Sequence, residues 1–205
     1  MARLYITNRD ESPPMFRSAF LDLFSRVHFS VPLVIFIPLI SYFIYRSVFV
    51  FEIKWLSIVA LFLAGTAIWT FTEYVMHRFV FHYEPKSAFG KKIHFMFHGV
   101  HHAYPNDSLR LVMVPPVSIP LAIAFYAIFY LLLGAAFASP AFAGFTFGYL
   151  AYDMSHYAVH HAAFKNKWFL SIKKHHMRHH YQDPEHGYGV SLKVWDWVFR
   201  SGFKG

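Results

Sequence analysis

A chain of 205 residues that is 56% hydrophobic and carries 25 phenylalanines falls in the membrane class before any motif is read. It has no cysteine, which excludes disulfides, iron–sulfur clusters, thiolate zinc sites and cysteine nucleophiles; any metal must be held by histidine, carboxylate or backbone oxygen. The formal charge of +8 points either to nucleic acid or to an anionic membrane face, and the distribution of the cations decides between them.

In chain order, residues 1–28 read as an N-terminal cytoplasmic or interfacial segment with no cleavable signal peptide. Within it, SAFLDLFSRVHF (18–29) reads either as an interfacial helix or as an extension of the first span. Four transmembrane helices follow, at roughly 29–49, 55–76, 113–133 and 137–156, each about 20 residues and long enough for the hydrocarbon core. Pro32, Pro38, Pro115, Pro116 and Pro120 lie at or near span starts, where a missing N–H matters least. Short turns at Val50–Lys54 and Gly134–Ala136 pair the spans into two hairpins. Only Arg46 and Lys54 lie on the turn side; the other Lys and Arg lie opposite or in the N-terminal tail. That asymmetry predicts that the opposite side, with both termini, is cytoplasmic. The cations then form a skirt facing lipid headgroups and call for no nucleic acid. The expected fold is an all-α integral membrane protein, with four transmembrane helices in two hairpins under a cytoplasmic helical cap. Residues 29–205 form one membrane domain, whose segments 77–112 and 157–205 make the cap.

The cap is where the histidines gather. Of 15 in the chain, all but His28 lie beyond residue 76. They fall in HRFVFH (His77, His82), HFMFHGVHH (His94, His98, His101, His102), HYAVHH (His156, His160, His161) and HHMRHH (His175, His176, His179, His180), with His186 beyond. His98, His101 and His102 stand at i, i+3 and i+4, as do His176, His179 and His180; His156 and His160 are i, i+4. On an α-helix these intervals put rings on one face, about a turn apart. A gap of five turns His82 about 140° from His77 on an ideal helix, so the two face apart unless the helix ends between them or each serves a different metal. Solvation poorly explains so many rings on one side. Neutral imidazole is the commonest metal ligand, and the set can hold two ions with about five nitrogens each.

No HExxH is present, which argues against a zinc hydrolase, and no pair of Glu-x-x-His motifs, which argues against a soluble di-iron carboxylate bundle. An all-histidine site fits redox-active iron used with O₂. Glu73, Asp153, Asp183 and Glu185 are candidates to orient rings by accepting the second N–H, Asp153 foremost because it lies one turn before His156.

The segments EYVMHRFVFH, HGVHHAYPNDSLRLVMVPP, AYDMSHYAVHH and KKHHMRHHYQDPEHGYGVSLKVWDWVF span residues 73–199. They resemble the fatty acid hydroxylase and sterol desaturase superfamily of membrane-embedded, dimetal, O₂-dependent enzymes, and within it the fatty acid 2-hydroxylases. Carried over position by position, the resemblance implies ten metal ligands: His77, His82, His98, His101, His102, His156, His160, His176, His179 and His180. It leaves His94, His161, His175 and His186 aside. Tyr152, with Asp153 and Glu73, is placed beside the ligands. Two iron ions are implied, with zinc able to replace them on purification, and O₂ as cosubstrate. No HPGG haem motif of a fused cytochrome b5 domain is present, so a separate electron donor, such as a cytochrome b5-like or ferredoxin protein, is expected.

The expected reaction is hydroxylation of an acyl chain drawn from the bilayer. Metals just inside the interface favour attack near the polar end, at C2. Tyr104, Asn106, Tyr181 and Tyr188 are candidate headgroup contacts. A sterol, carotenoid or ornithine-lipid hydroxylase, or a desaturase, would use the same histidines. A His-rich metal transporter or sensor would need polar residues across the spans, and the third span has essentially none. A b-type cytochrome would need facing histidines within the membrane.

Overall fold

The computed structural model describes residues 5–203, which are helical with no strand among them. Three helices are long and apolar enough to cross a membrane: Ser30–Val50, Trp55–Phe81 and Pro115–His161. The first comprises α2 (Ser30–Tyr45) and a π-helical turn, Arg46–Val50; the second comprises α3 (Trp55–Val75) and a π-helical turn, Met76–Phe81. Before them, α1 (Ala19–Leu23) is separate from α2 and exposes Phe20, Leu21 and Leu23, so segment 18–29 is not an extension of the first span. Next come α4 (Ala88–His94), a π turn Phe95–Gly99 and α5 (Val100–Ala103). The third long helix is α6 (Pro115–His161); α7 (Lys167–Tyr181) and α8 (Val194–Val198) close the chain. Pro38 lies well inside α2 rather than near its start.

α6 is not one straight rod. Gly134 interrupts it at φ 69° and ψ 168°, a conformation that essentially only glycine adopts. Phe125 and Phe145 would be about 30 Å apart along an unbroken helix at 1.5 Å per residue. Their ring centroids are 4.7 Å apart, and Phe129 lies 5.4 Å from Phe145. The chain therefore folds back on itself beyond Gly134.

The returning half of α6 meets α3 through glycines. A Cβ at Gly144 would fall 1.9 Å from the Phe62 carbonyl oxygen, and one at Gly65 would fall 1.9 Å from that of Ala141. Backbones this close need small residues, as in membrane helix pairs generally. Thr66 Oγ1 adds a 3.0 Å hydrogen bond to the Gly144 carbonyl. Phe36, Phe43, Trp69, Phe142 and Tyr149 fill the space between α2, α3 and α6. This packing brings the π turn that follows α3 and the last turns of α6 to the same end of the bundle, and both regions carry histidines. A strap at the N-terminus lies over the loop after α5: Ile6 N–H donates to the Ala103 carbonyl at 2.8 Å, and Ser108 N–H to Asp10 at 2.9 Å.

Candidate metal centre

His77 and His82 are joined by the π turn. The backbone N–H of His82 bonds the carbonyl of His77 at 3.2 Å, an i→i+5 closure. The wider turn corrects the α-helical expectation that the two rings face apart: their centroids are 5.0 Å from each other. A second π turn leads into α5 and carries His98; His101 and His102 follow on α5 itself. His156 and His160 end α6, and His176, His179 and His180 lie on the last turns of α7.

These ten histidines form two groups of five. One is His77, His82, His98, His102 and His179; the other is His101, His156, His160, His176 and His180. Within each, one nitrogen per ring lies within 4.8 Å of all the others. The i, i+4 pairs His98/His102, His176/His180 and His156/His160 stay together, while the i+3 rings, His101 and His179, cross to the opposite group. Adjacent residues on an α-helix point about 100° apart, which is how His101 and His102, or His179 and His180, serve different groups.

The converging atoms are Nε2. In the first group, Nε2 of His98 lies 3.2 Å from that of His77, 3.2 Å from His82 and 3.0 Å from His102; His179 to His82 is 3.0 Å. In the second, His156 to His101 is 2.9 Å, and His160 and His180 are each 3.0 Å from His176. At a metal–nitrogen length of about 2.1 Å, ligands at right angles stand about 3.0 Å apart and tetrahedral ones about 3.4 Å. The spacing suits a right-angled, five-nitrogen set.

The protonation of the rings makes the same point. Burial, reinforced by the neighbouring rings, holds His98, His101, His102, His176 and His180 well below the usual imidazole range. Burial likewise takes His82 down to about 3, and His179 to about 4 against the opposing bond to the His186 carbonyl. A neutral ring has a single N–H. Nδ1 of His77 donates to the Tyr188 carbonyl at 2.5 Å, His179 to the His186 carbonyl at 2.9 Å and His156 to the Leu111 carbonyl at 3.2 Å. The Nε2 atoms of those rings therefore carry lone pairs, crowded against other nitrogens around a common point. A cation at each point satisfies them, so the residues fit two metal ions.

The expected carboxylate partners lie elsewhere. Asp153 accepts from the Tyr149 hydroxyl at 2.9 Å and the Met113 N–H at 3.4 Å. Glu73 accepts from the N–H groups of Val190 and Ser191 at 2.9 and 3.0 Å and from the Ser191 hydroxyl. Neither bonds a histidine. Backbone carbonyls, which add no charge, take that role, and both carboxylates instead pin the segments supplying or flanking those carbonyls. Asp183 bonds His186, and Glu185 lends its carbonyl to the Tyr188 hydroxyl. Tyr152 stacks on His156 at 5.8 Å.

His94, His161, His175 and His186 belong to neither group. His94 bonds the Phe81 carbonyl and His175 bonds Asp196; His161 is exposed and stacks on Tyr157. Of the candidate headgroup contacts, Tyr181 and Asn106 bond Asn8. Tyr188 is buried. Asp196 was missed by sequence reasoning. An acid inside the apolar run VWDWVF was the available signal.

Two cavities meet beneath the histidines. One is apolar, lies between α2, α3 and α6, and includes Phe36, Trp69, Phe125 and Tyr149. The other, about 310 Å³, is lined by His98, His101 and His156 together with Phe16, Phe24 and Arg110. Phe81, Met113 and Tyr152 line both.

A profile of the family described as fatty acid hydroxylase matches residues 62–201. The chain belongs to the fatty acid hydroxylase family. It is 38% identical to a dihydroceramide fatty acyl 2-hydroxylase of Arabidopsis thaliana over 190 residues, 92% of this chain and 79% of that one. The fatty acid 2-hydroxylase of Mus musculus is 36% identical, covering 91% of this chain and 56% of its own. The ceramide very long chain fatty acid hydroxylase of Saccharomyces cerevisiae is 36% identical, covering 92% and 49%. The chain thus spans about half the length of the mouse and yeast relatives. A solved structure of full-length scs7p, in which only the hydroxylase domain is visible, superposes with a TM-score of 0.85 at 34% identity, covering 90% of this chain and 70% of that one. Membership of the fatty acid hydroxylase family makes the chain a membrane oxidoreductase of lipid metabolism with a metal-binding histidine site.

Proposed function

We propose that this chain is an O₂-dependent dimetal monooxygenase that hydroxylates the acyl chain of a fatty acid or acyl lipid near its polar end, at C2. The observation that carries the reading is the pair of five-histidine groups opening onto a cavity that meets the apolar one between the long helices. The names of the relatives, fatty acid and dihydroceramide fatty acyl 2-hydroxylases, support the substrate class and the carbon. The ten histidines are the ligands, five to each ion, and the ions are iron, which supplies the reduced centre where O₂ is spent. Overall, the C–H, O₂, two electrons and two protons give the alcohol and water. The electrons come from a cytochrome b5-like or ferredoxin-type donor.

The chain's own residues position the substrate. An acyl tail in the apolar cavity puts carbons near its polar end beside Phe81, Met113 and Tyr152, under the histidines. Asp153 holds this junction by fixing the Tyr149 hydroxyl and the Met113 backbone. Glu73 fixes Val190 and Ser191 above it.

The same reading takes residues 29–205 as one membrane domain after a segment 1–28, with four crossings in two hairpins. The reversal beyond Gly134 supports four crossings. The concentration of Lys and Arg on the histidine side supports a cytoplasmic cap and cytoplasmic termini.

Mass spectrometry of lipids from cells with and without the gene tests the reaction. The expected result is a gain of one oxygen on an acyl chain. A loss of two hydrogens would make the chain a desaturase and overturn the reading.

A further inference from the structure

The two histidine groups are not anchored alike. In the first, two of the five rings, His77 and His179, donate Nδ1–H to the carbonyls of Tyr188 and His186, which belong to one loop; His82, His98 and His102 make no such bond among the described residues. That loop is pinned along five consecutive N–H groups. Gly187 donates to the Ser201 carbonyl at 2.9 Å. Tyr188 and Gly189 donate to the two oxygens of Asp196 at 3.0 and 2.8 Å. Val190 and Ser191 donate to Glu73. Asp196 is 2% exposed and also accepts from Ser201 Oγ at 2.8 Å and His175 Nε2 at 3.0 Å. Tyr74 in turn bonds Ser201 at 2.8 Å and accepts from Arg78 at 2.6 Å. In the second group, only His156 donates Nδ1–H to a carbonyl, that of Leu111. The Nδ1 atoms of His101, His160, His176 and His180 are buried without a partner.

An acceptor on the second ring nitrogen fixes the tautomer and raises the basicity of the ligating nitrogen. We infer that Asp196 is a positioning residue for the first histidine group, and that the two metal positions are inequivalent, the first retaining its ion more tightly. The inference rests on the ligand set proposed above. Asp196 acts by holding the Tyr188 carbonyl against His77 and, through the same loop, the His186 carbonyl against His179. Asparagine would not replace it. Its amide nitrogen would face either the Gly189 N–H or the Tyr188 N–H, and donor would meet donor.

The test is metal release from the full chain loaded with zinc(II), which adds no redox chemistry. Loaded protein is challenged with EDTA, and retained zinc is measured by mass spectrometry against time. The wild type is expected to lose one equivalent quickly and one slowly. Asp196→Asn should speed the slow phase about 10–100-fold, the usual effect of removing an outer partner, and leave the fast phase unchanged. His156→Ala should abolish the fast equivalent and keep the slow one. General loosening of the fold would speed both phases and so cannot imitate this selectivity. Should Asp196→Asn fail to fold, Ser201→Ala, which removes one of the carboxylate's bonds, should speed the slow phase more modestly. A wild type that loses both ions in one phase, or variants that speed both phases equally or neither, would overturn the inference. A wild type that binds fewer than two zinc ions would overturn the ligand set itself.

Discussion

His179→Ala should lower hydroxylation more than about 100-fold, beyond the 10–100-fold typical of an outer partner. It should also reduce bound metal from two ions towards one per chain. His179 supplies Nε2 to the first group at 3.0 Å from His82, and its Nδ1 is fixed on the His186 carbonyl. Removing it leaves four rings around a point built for five, next to a loop whose carbonyl has lost its donor. The matched control is His161→Ala, which removes an exposed ring stacked on Tyr157. Its activity should stay within about twofold, since the ring belongs to neither histidine group and a surface change of this kind shifts stability by only about 0.5 kcal/mol. Metal content by mass spectrometry and product formation in the same preparation check both variants. Full activity in His179→Ala would remove it from the ligand set.

The second large effect falls far from the histidines. Gly144→Ala should destabilise the chain by at least about 3 kcal/mol, above the 1–3 kcal/mol usual for overpacking, because the added carbon meets a backbone carbonyl rather than a side chain. The clash is 1.9 Å from the Phe62 oxygen, with the Phe62 carbonyl carbon at 2.6 Å. Relief requires α3 and the returning half of α6 to separate, which also lengthens the bond from Thr66 to the Gly144 carbonyl. At about 2–4 °C per kcal/mol for a chain of this size, the unfolding midpoint should fall by roughly 6–12 °C. Gly202→Ala is the control, since the atoms nearest its Cβ lie at 4.0 Å. Because α5 and α7 each supply rings to both groups, they cannot follow α3 and α6 at once when those separate, so metal retention should fall with stability. Thermal unfolding of the purified protein decides it, and equal midpoints for the two variants would refute the close-packing argument.

Much of the site was legible because helix geometry is periodic. The i, i+4 spacing of His98/His102, His156/His160 and His176/His180 translates directly into shared faces, and all three pairs stay together. The partition was not legible. Whether His101 joins His102 or His156 depends on where α5 stands relative to α6, which no local spacing encodes. The His77/His82 pair stayed open for a different reason. An α-helical period applied to HRFVFH separates the rings, whereas the π turn brings them together, and local sequence offers no dependable mark of a π turn. The partners of the ring nitrogens were invisible because they are backbone carbonyls, present at every residue and distinguished at none. The charged candidates, Glu73 and Asp153, were sound as buried acids that need partners, but their partners are backbone N–H groups and hydroxyls. The long helices were plain from hydropathy, and the reversal at Gly134 followed from a glycine between two apolar runs.

The central claim is that two five-histidine groups, meeting an apolar cavity at the Phe81–Met113–Tyr152 junction, direct oxygen into an acyl C–H bond near the polar end of a lipid. Its most direct test supplies ¹⁸O₂ to cells expressing the chain and fragments the product lipids in a mass spectrometer. The account predicts one ¹⁸O per modified lipid, on C2 of the acyl chain, absent when His179→Ala replaces the wild type. Unlabelled oxygen at that carbon, or label only at mid-chain positions, would contradict it.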